Sequence, residues 1–284
     1  MNKGQTNRLL GYPDDARLLI INADDFGMCH SVNEAIISAF EQGIVSSTTL
    51  MVPCPWAEHA MRFLILHPEI SFGIHLTVIS EWANYRWRPV SSREMVPSLL
   101  DETGYFYNFE RMSELLTQVK LDQLETEFRA QIEIVLKAGL RPTHLDWHAL
   151  RIGDRKDIFN LMYKLAKEYG LALRVRGQSI IEEIQRKGLP TSDYDFLDSY
   201  VLDPLDKPSI FKKMLRELPN GLSEWAVHPG LDSPELRTIE IDNRYRRQKD
   251  FDFLISKEAK EIVKQEGIII LDYSSLQVKW RQIL

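Results

Sequence analysis

Along this chain, short apolar runs alternate with stretches whose apolar positions recur at helical spacing, and several of the runs end in Asp or His. Residues 17–23 (RLLIINA) read as a buried strand. Ser31-Val32-Asn33-Glu34 predicts a capping box, with Ser31 accepting from a backbone N–H and Glu34 reaching back. The helix it opens continues through Ala39 and Phe40 and ends at Gly43. Residues 44–52 are β-rich and close at Pro53 and Pro55. A helix to about Leu66 stops before Pro68, and 70–78 forms a third strand. Helical periodicity returns over 119–138 and ends at Gly139. Then come a strand at 143–148, a helix at 155–169 closed by Gly170, and a strand at 171–175. Residues 178–205 are mixed, with an acidic loop around Asp193, Asp195 and Asp198. A helix near 208–217 leads to a strand at 223–228. One long charged helix is expected over roughly 244–265, then a last strand at 268–271 and a terminal helix at 274–282.

Strand and helix thus alternate seven or eight times without an obvious linker, which predicts an α/β fold with a parallel sheet and helices outside it. At this length the pattern favours a distorted TIM-like (β/α) barrel, one domain over 1–284, rather than two open sheets. Residues 80–118 break the rhythm. A loop that long is usually functional or disordered, and Trp82, Tyr85, Trp87, Tyr105, Phe106, Tyr107 and Phe109 argue against disorder. Three roles suit the segment: a mini-core of its own, an aromatic wall or lid over a sugar ring, or an interface in a homodimer.

The net charge of −6 is spread without long single-sign runs, which makes nucleic acid and anionic membranes poor partners. No apolar run approaches the ~20 residues of a bilayer span, and the first residues carry no signal-peptide pattern. With only Cys29 and Cys54, the chain fits a reducing cytoplasm, and Cys29 reads as a buried, inert thiol.

The chemistry lies at the strand ends. In parallel α/β folds the C-terminal ends of the strands line the active face. Asp24 and Asp25 end the first strand, His75 lies late in the third, and His148 and His228 end the strands at 143–148 and 223–228. Asp25, His75 and His148 together offer an anionic oxygen and two imidazole nitrogens, a set that suits a divalent metal. Zn, Mn, Co, Ni and Mg all fit it, with Mg or Zn foremost. Asp24, next to Asp25, cannot face the same point in a regular strand and is better used nearby as a base toward water. Alternation puts His144, Asp146 and His148 on one face and Trp147 on the other. Asp146 is placed to orient an imidazole or touch substrate. His144, about 13 Å back along the strand, stands off the metal. Arg174 is divided evenly between a surface charge and a partner for the Asp24/Asp25 pair. The segment Glu224-Trp-Ala-Val-His228-Pro-Gly230 brings an imidazole not spent on metal, suited to protonating a leaving group. Glu224 joins Asp146, His144 and Arg174 as a supporting or substrate-contacting residue.

NADDFG at 22–27, GIVSSTTLMV at 43–52, GIHL at 73–76, PTHLDWH at 142–148 and HPG at 228–230, in this order, resemble the YdjC-like carbohydrate deacetylases over nearly the whole chain. The resemblance implies a distorted TIM-like barrel and metal-dependent removal of an acetyl group from an N-acetylated sugar. It implies Asp25, His75 and His148 as metal ligands, Asp24 as base and His228 as acid. Family members often read Asp-Ser-His-His-His-Val-His where this chain reads Asp146-Trp147-His148-Ala149-Leu150-Arg151. The ligand position is kept, the later histidines are absent, and the substrate is the property most exposed to that change. The expected substrate is a small acetylated amino sugar or short oligosaccharide. Alternatives are a metal-dependent hydrolase of another ester or phosphoester and a non-catalytic sugar-binding protein on the same fold.

Overall fold

The structure is a computed structural model and describes residues 5–241 and 244–283. In chain order the helices are α1 (Gln5–Leu10), α2 (His30–Gln42), α3 (Ala57–Leu66), α4 (Met112–Gln118), α5 (Leu121–Lys137), α6 (Lys156–Tyr169), α7 (Gln178–Arg186), α8 (Lys207–Arg216), α9 (Pro234–Ile239), α10 (Arg244–Leu254), α11 (Lys257–Gln265) and α12 (Tyr273–Ile283). The strands are β1 (Arg17–Phe26), β2 (Ser47–Leu50), β3 (Phe72–Leu76), β4 (His144–Trp147), β5 (Ala172–Leu173), β6 (Leu197–Asp198), β7 (Gly221–Val227) and β8 (Ile269–Leu271).

All the strand pairings are parallel, in the order β5-β4-β3-β2-β1-β7-β6. β1 is buried almost throughout, which is why it reads as a continuous apolar run rather than an alternating one. It has three neighbours. Residues Arg17 to Ala23 pair with Gly221 to Val227 of β7. On its other side, Leu18 to Ile20 pair with β8, and Asn22 onward pairs with β2. The end strands β5 and β6 have no pairing with each other among the described residues. The sheet therefore curls into an incomplete barrel, the distorted TIM-like α/β architecture that the alternation predicts. Its core is a continuous apolar cluster running from Leu18 to Trp280.

Three local expectations change. Ser31 lies inside α2, whose N-cap is Cys29, and no capping box forms. Instead the Glu235 carboxylate accepts from the Ser31 backbone N–H at 2.8 Å, the His30 N–H at 3.3 Å and the Ser31 hydroxyl at 2.7 Å. A carboxylate at a helix N-terminus satisfies orphan donors and meets the positive end of the helix dipole, so a distant residue does the work of a local box. The charged stretch after residue 244 is two helices, because Ser256 accepts from the Ala259 N–H at 3.1 Å and opens α11 afresh. The segment 80–118 contains α4 and a packed interior. Trp87 and Phe106 are buried, the Trp87 indole N–H donates to Ile79 O at 2.7 Å, and Trp82 and Tyr85 meet the Trp87 ring edge-on at 6.1 Å each. Trp82, Tyr85 and Trp87 pack on one another, while Tyr105, Tyr107 and Phe109 lie under the guanidinium groups of Arg88, Arg111 and Arg151.

Candidate active site

β1 carries Asn22 and Asp24 two residues apart, then breaks its register with β2 between Ala23 and Phe26. Asp25 has φ +73°, in the left-handed region that Asp tolerates better than most side chains. That torsion turns two consecutive carboxylates toward one cavity, which a regular strand forbids. Both are nearly inaccessible to solvent.

Asp25 Oδ1 lies 3.1 Å from His148 Nδ1 and 3.4 Å from His75 Nε2. Its other oxygen is held by Arg247 Nη2 at 2.7 Å. The three side chains bring ligand atoms within 4.8 Å of one another. Each imidazole also meets a carboxylate through its other nitrogen: His75 Nδ1 stands 2.6 Å from Asp146 Oδ1, and His148 Nε2 stands 3.2 Å from Glu81 Oε2. An anionic oxygen and two backed imidazoles facing one point fit a divalent ion. The electrostatics agree. Burial alone would lower both imidazole pKa values, but Asp146, Asp25 and Asp24 outweigh it and push His75 up to about 10. Glu81 and Asp25 push His148 up to about 9. Surroundings that hold extra protons on two imidazoles favour a cation that would displace them.

Arg174, just past β5, is buried at the barrel centre and not on the surface. Its guanidinium binds both oxygens of Asp24, at 2.8 and 2.9 Å, and reaches Asp146 Oδ2 at 2.6 Å and Glu224 Oε1 at 2.6 Å. Glu224 in turn accepts from the Tyr273 hydroxyl at 2.6 Å. Burial would raise the Asp24 pKa, yet Arg174, His75 and His228 together hold the carboxyl well below its ordinary range. His228, one residue past β7, sets Nε2 3.9 Å from Asp24 Oδ2.

Asp24, Asp25, His75, His148, Arg174 and His228 all line one cavity of about 320 Å³, within the range of small-molecule sites. Trp147 also lines it. Trp147, expected on the face opposite His148, is the last residue of β4 and still contributes to the cavity wall. His144 does not reach the cavity. It is buried at the start of β4 between Gly73 of β3 and the Tyr273 ring, which stacks on it at 3.6 Å, and burial holds its pKa well below the ordinary histidine value. From the aromatic segment, Phe109 and Glu81 reach the cavity wall. Phe196 and Tyr200 supply further aromatic lining. Cys29 is buried and its thiol is pushed up to about 12 by burial, with no part in the site.

Glu81 and Arg247 escaped the reading of the sequence. Glu81 follows the third strand by a few residues, a position that could have drawn notice. Arg247 sits inside a charged helix and carries no such signal.

The family model described as YdjC-like protein matches residues 18–265. A carbohydrate deacetylase of Enterococcus faecalis is 34% identical over 271 residues, covering 91% of this chain and 97% of that one. A carbohydrate deacetylase of Thermoanaerobacter pseudethanolicus is 30% identical, covering 92% and 100%. A chitooligosaccharide deacetylase of Yersinia enterocolitica is 29% identical, covering 91% and 98%. Among solved structures, one from Enterococcus faecalis, named after cellobiose-phosphate cleavage, superposes with a TM-score of 0.80 at 31% identity over 92% of this chain and 99% of that one. The chain belongs to the YdjC-like protein family.

Proposed function

We propose that this protein is a metal-dependent hydrolase that removes the N-acetyl group from a small acetylated amino sugar or short oligosaccharide, releasing acetate. The relatives named carbohydrate deacetylase support an amide C–N hydrolase acting on carbohydrate. The observation that carries the reading is the meeting of Asp25, His75 and His148 at one point, with Asp24 and His228 3.9 Å apart beside them. When bound there, a divalent ion, with Mg or Zn foremost, supplies a Lewis acid that polarises an acyl oxygen and acidifies water.

The residues divide the remaining work. Asp24 takes a proton from the attacking water. Arg174 and Asn22 Nδ2, the latter 2.7 Å from Asp24 Oδ1, hold that carboxylate ionised and fixed. A carboxylate held so far below its ordinary pKa is a weak base, so it suits only water that has itself been made acidic. His228 gives a proton from Nε2 to the departing amine. The balance is amide plus water to acetate plus the protonated amine. Asp146 and Glu81 orient the two ligand imidazoles, and Arg247 orients Asp25. The cavity volume suits one or two sugar units, and Trp147, Phe196 and Tyr200 give its wall aromatic surface.

No helix among the described residues is long and apolar enough to cross a membrane, and cytoplasmic action on a small sugar is part of the proposal. The test is product analysis with a panel of N-acetylated amino sugars and short oligosaccharides. Acetate and free amine should appear in equal amounts. Release from an O-acetyl ester or a phosphoester alone would sink the assignment.

A further inference from the structure

Behind His228 lies a buried polar chain that the reaction above does not use. Ser199, in the short 3-10 turn Ser199–Val201 after β6, places Oγ 3.1 Å from His228 Nδ1. The same hydroxyl donates to Asp250 Oδ2 in a short hydrogen bond. Asp250 Oδ2 also accepts the His228 backbone N–H at 2.8 Å, and Asp250 Oδ1 meets Lys207 Nζ at 2.5 Å. Lys207 donates as well to the Arg246 carbonyl at 2.9 Å. Ser199, Lys207 and Asp250 are fully buried. They come from three separate places, the turn, α8 and α10, and converge on one ring at the end of β7. A buried ion pair is weak evidence of stabilisation, so its presence here calls for another reason.

Counting donors supplies one. Asp250 takes hydrogen bonds at both oxygens and has none to give. The single Ser199 hydroxyl proton is therefore committed to Asp250, and toward His228 the oxygen offers only a lone pair. His228 Nδ1 must then carry the hydrogen. We propose that Ser199, braced by Asp250 and Lys207, is a positioning residue that fixes Nδ1 of His228 as the protonated nitrogen and leaves Nε2 as the atom that exchanges its proton with substrate. Neutral histidine in water favours the opposite tautomer, so the chain reverses an intrinsic preference. In the reaction, Nε2–H passes its proton to the leaving amine and the ring becomes neutral with the hydrogen still on Nδ1. That is the tautomer Ser199 holds, and no proton moves to Ser199 or Asp250. The inference rests on the reading of His228 as the acid.

Asp198 is the competing acceptor. Its Oδ1 stands 3.9 Å from His228 Nδ1, but that oxygen already accepts the Tyr200 N–H at 2.9 Å. The experiment compares Ser199→Ala, Ser199→Thr, Asp198→Asn and His228→Ala in the metal-loaded enzyme, with nitrogen NMR of the His228 ring and separate kcat and KM values. Ser199→Ala should lower kcat roughly tenfold or more, but by no more than the roughly 10²–10⁴ that a general acid itself contributes, with KM changed less than about twofold. It should also move the neutral ring to the Nε2–H tautomer, and Ser199→Thr should restore both. Retention of the Nδ1–H tautomer and of kcat in Ser199→Ala would overturn the proposal, as would a tautomer that responds to Asp198→Asn instead. Full activity in His228→Ala would remove the acid assignment, while the tautomer in Ser199→Ala would still decide the role of Ser199. Asp250→Asn is the less informative variant, because it strands a buried lysine.

Discussion

A single backbone torsion, φ +73° at Asp25, puts two adjacent carboxylates into one cavity, and one guanidinium, Arg174, keeps three buried acids tolerable there. Replacing Arg174 with Met should leave Asp24, Asp146 and Glu224 without their shared cation. Loss of one partner of a buried pair costs about 3–5 kcal/mol, so denaturant unfolding should show a destabilisation of at least that order. A change under about 1 kcal/mol would contradict the hub geometry. Glu81→Ala should weaken metal retention about 10- to 100-fold, read by metal titration of chelator-treated protein, since it removes the carboxylate behind His148. Unaltered affinity would show that His148 is oriented by something else. The residue types at the strand ends were legible because Asp and His at the close of apolar runs are conspicuous. Their partners were not. Arg247, Lys207 and Asp250 sit in helical stretches whose charges read as a solvated face, and only tertiary packing reveals that they are buried. The left-handed backbone at Asp25 leaves no mark in sequence either, which is why Asp24 and Asp25 looked unable to face the same point.

The elements that position the cavity depend on a few tight contacts. Gly73 in β3 lies against the His144 ring, where an added Cβ would stand 2.6 Å from ring atoms. Gly73→Ala should cost about 1–3 kcal/mol by overpacking, and a smaller residue in place of His144 should recover part of that loss in a double-mutant cycle. Additive costs would mean the two positions do not share this space. The segment 80–118 is pinned by two acids. Glu127 of α5 accepts the backbone N–H groups of Val90 and Ser91 at 3.0 Å each. Asp101 accepts from the Thr103 hydroxyl and N–H, the Tyr105 N–H and Arg86. Burial opposes ionisation of Asp101, but those donors prevail and lower its pKa from 3.8 to about 2. A depressed carboxylate contributes its stabilisation in full above 3.8, and that contribution is lost as pH falls toward about 2. Pepsin cleavage within 80–118 should therefore rise across that window. Asp101→Asn should already be susceptible at its upper end, and identical profiles for the two proteins would contradict this anchoring. The aromatic residues of the segment were legible as a reason for order and a mini-core was one of three roles they suited; which of them meet ring to ring is visible only in the fold.

Over the whole molecule, the alternation of strand and helix conveyed the parallel α/β architecture because each buried strand is a short apolar run bounded by turn signals. Pairing is non-local and left no such trace. Nothing in the runs shows that β1 splits one side between β2 and β8, or that β5 and β6 do not pair with each other among the described residues. The consequence is functional, since Arg174 enters the barrel centre from the end of β5 and shares the cavity with His228, past β7, behind which stands Ser199, past β6. The central claim joins the metal centre to amide hydrolysis. It is tested most directly by titrating a divalent ion into chelator-treated protein while measuring acetate release from an N-acetylated amino sugar. The account predicts a rate that rises in proportion to bound metal and levels at one ion per chain. An acetate release rate unchanged by chelation, or one that rises without metal bound at Asp25, His75 and His148, would contradict it.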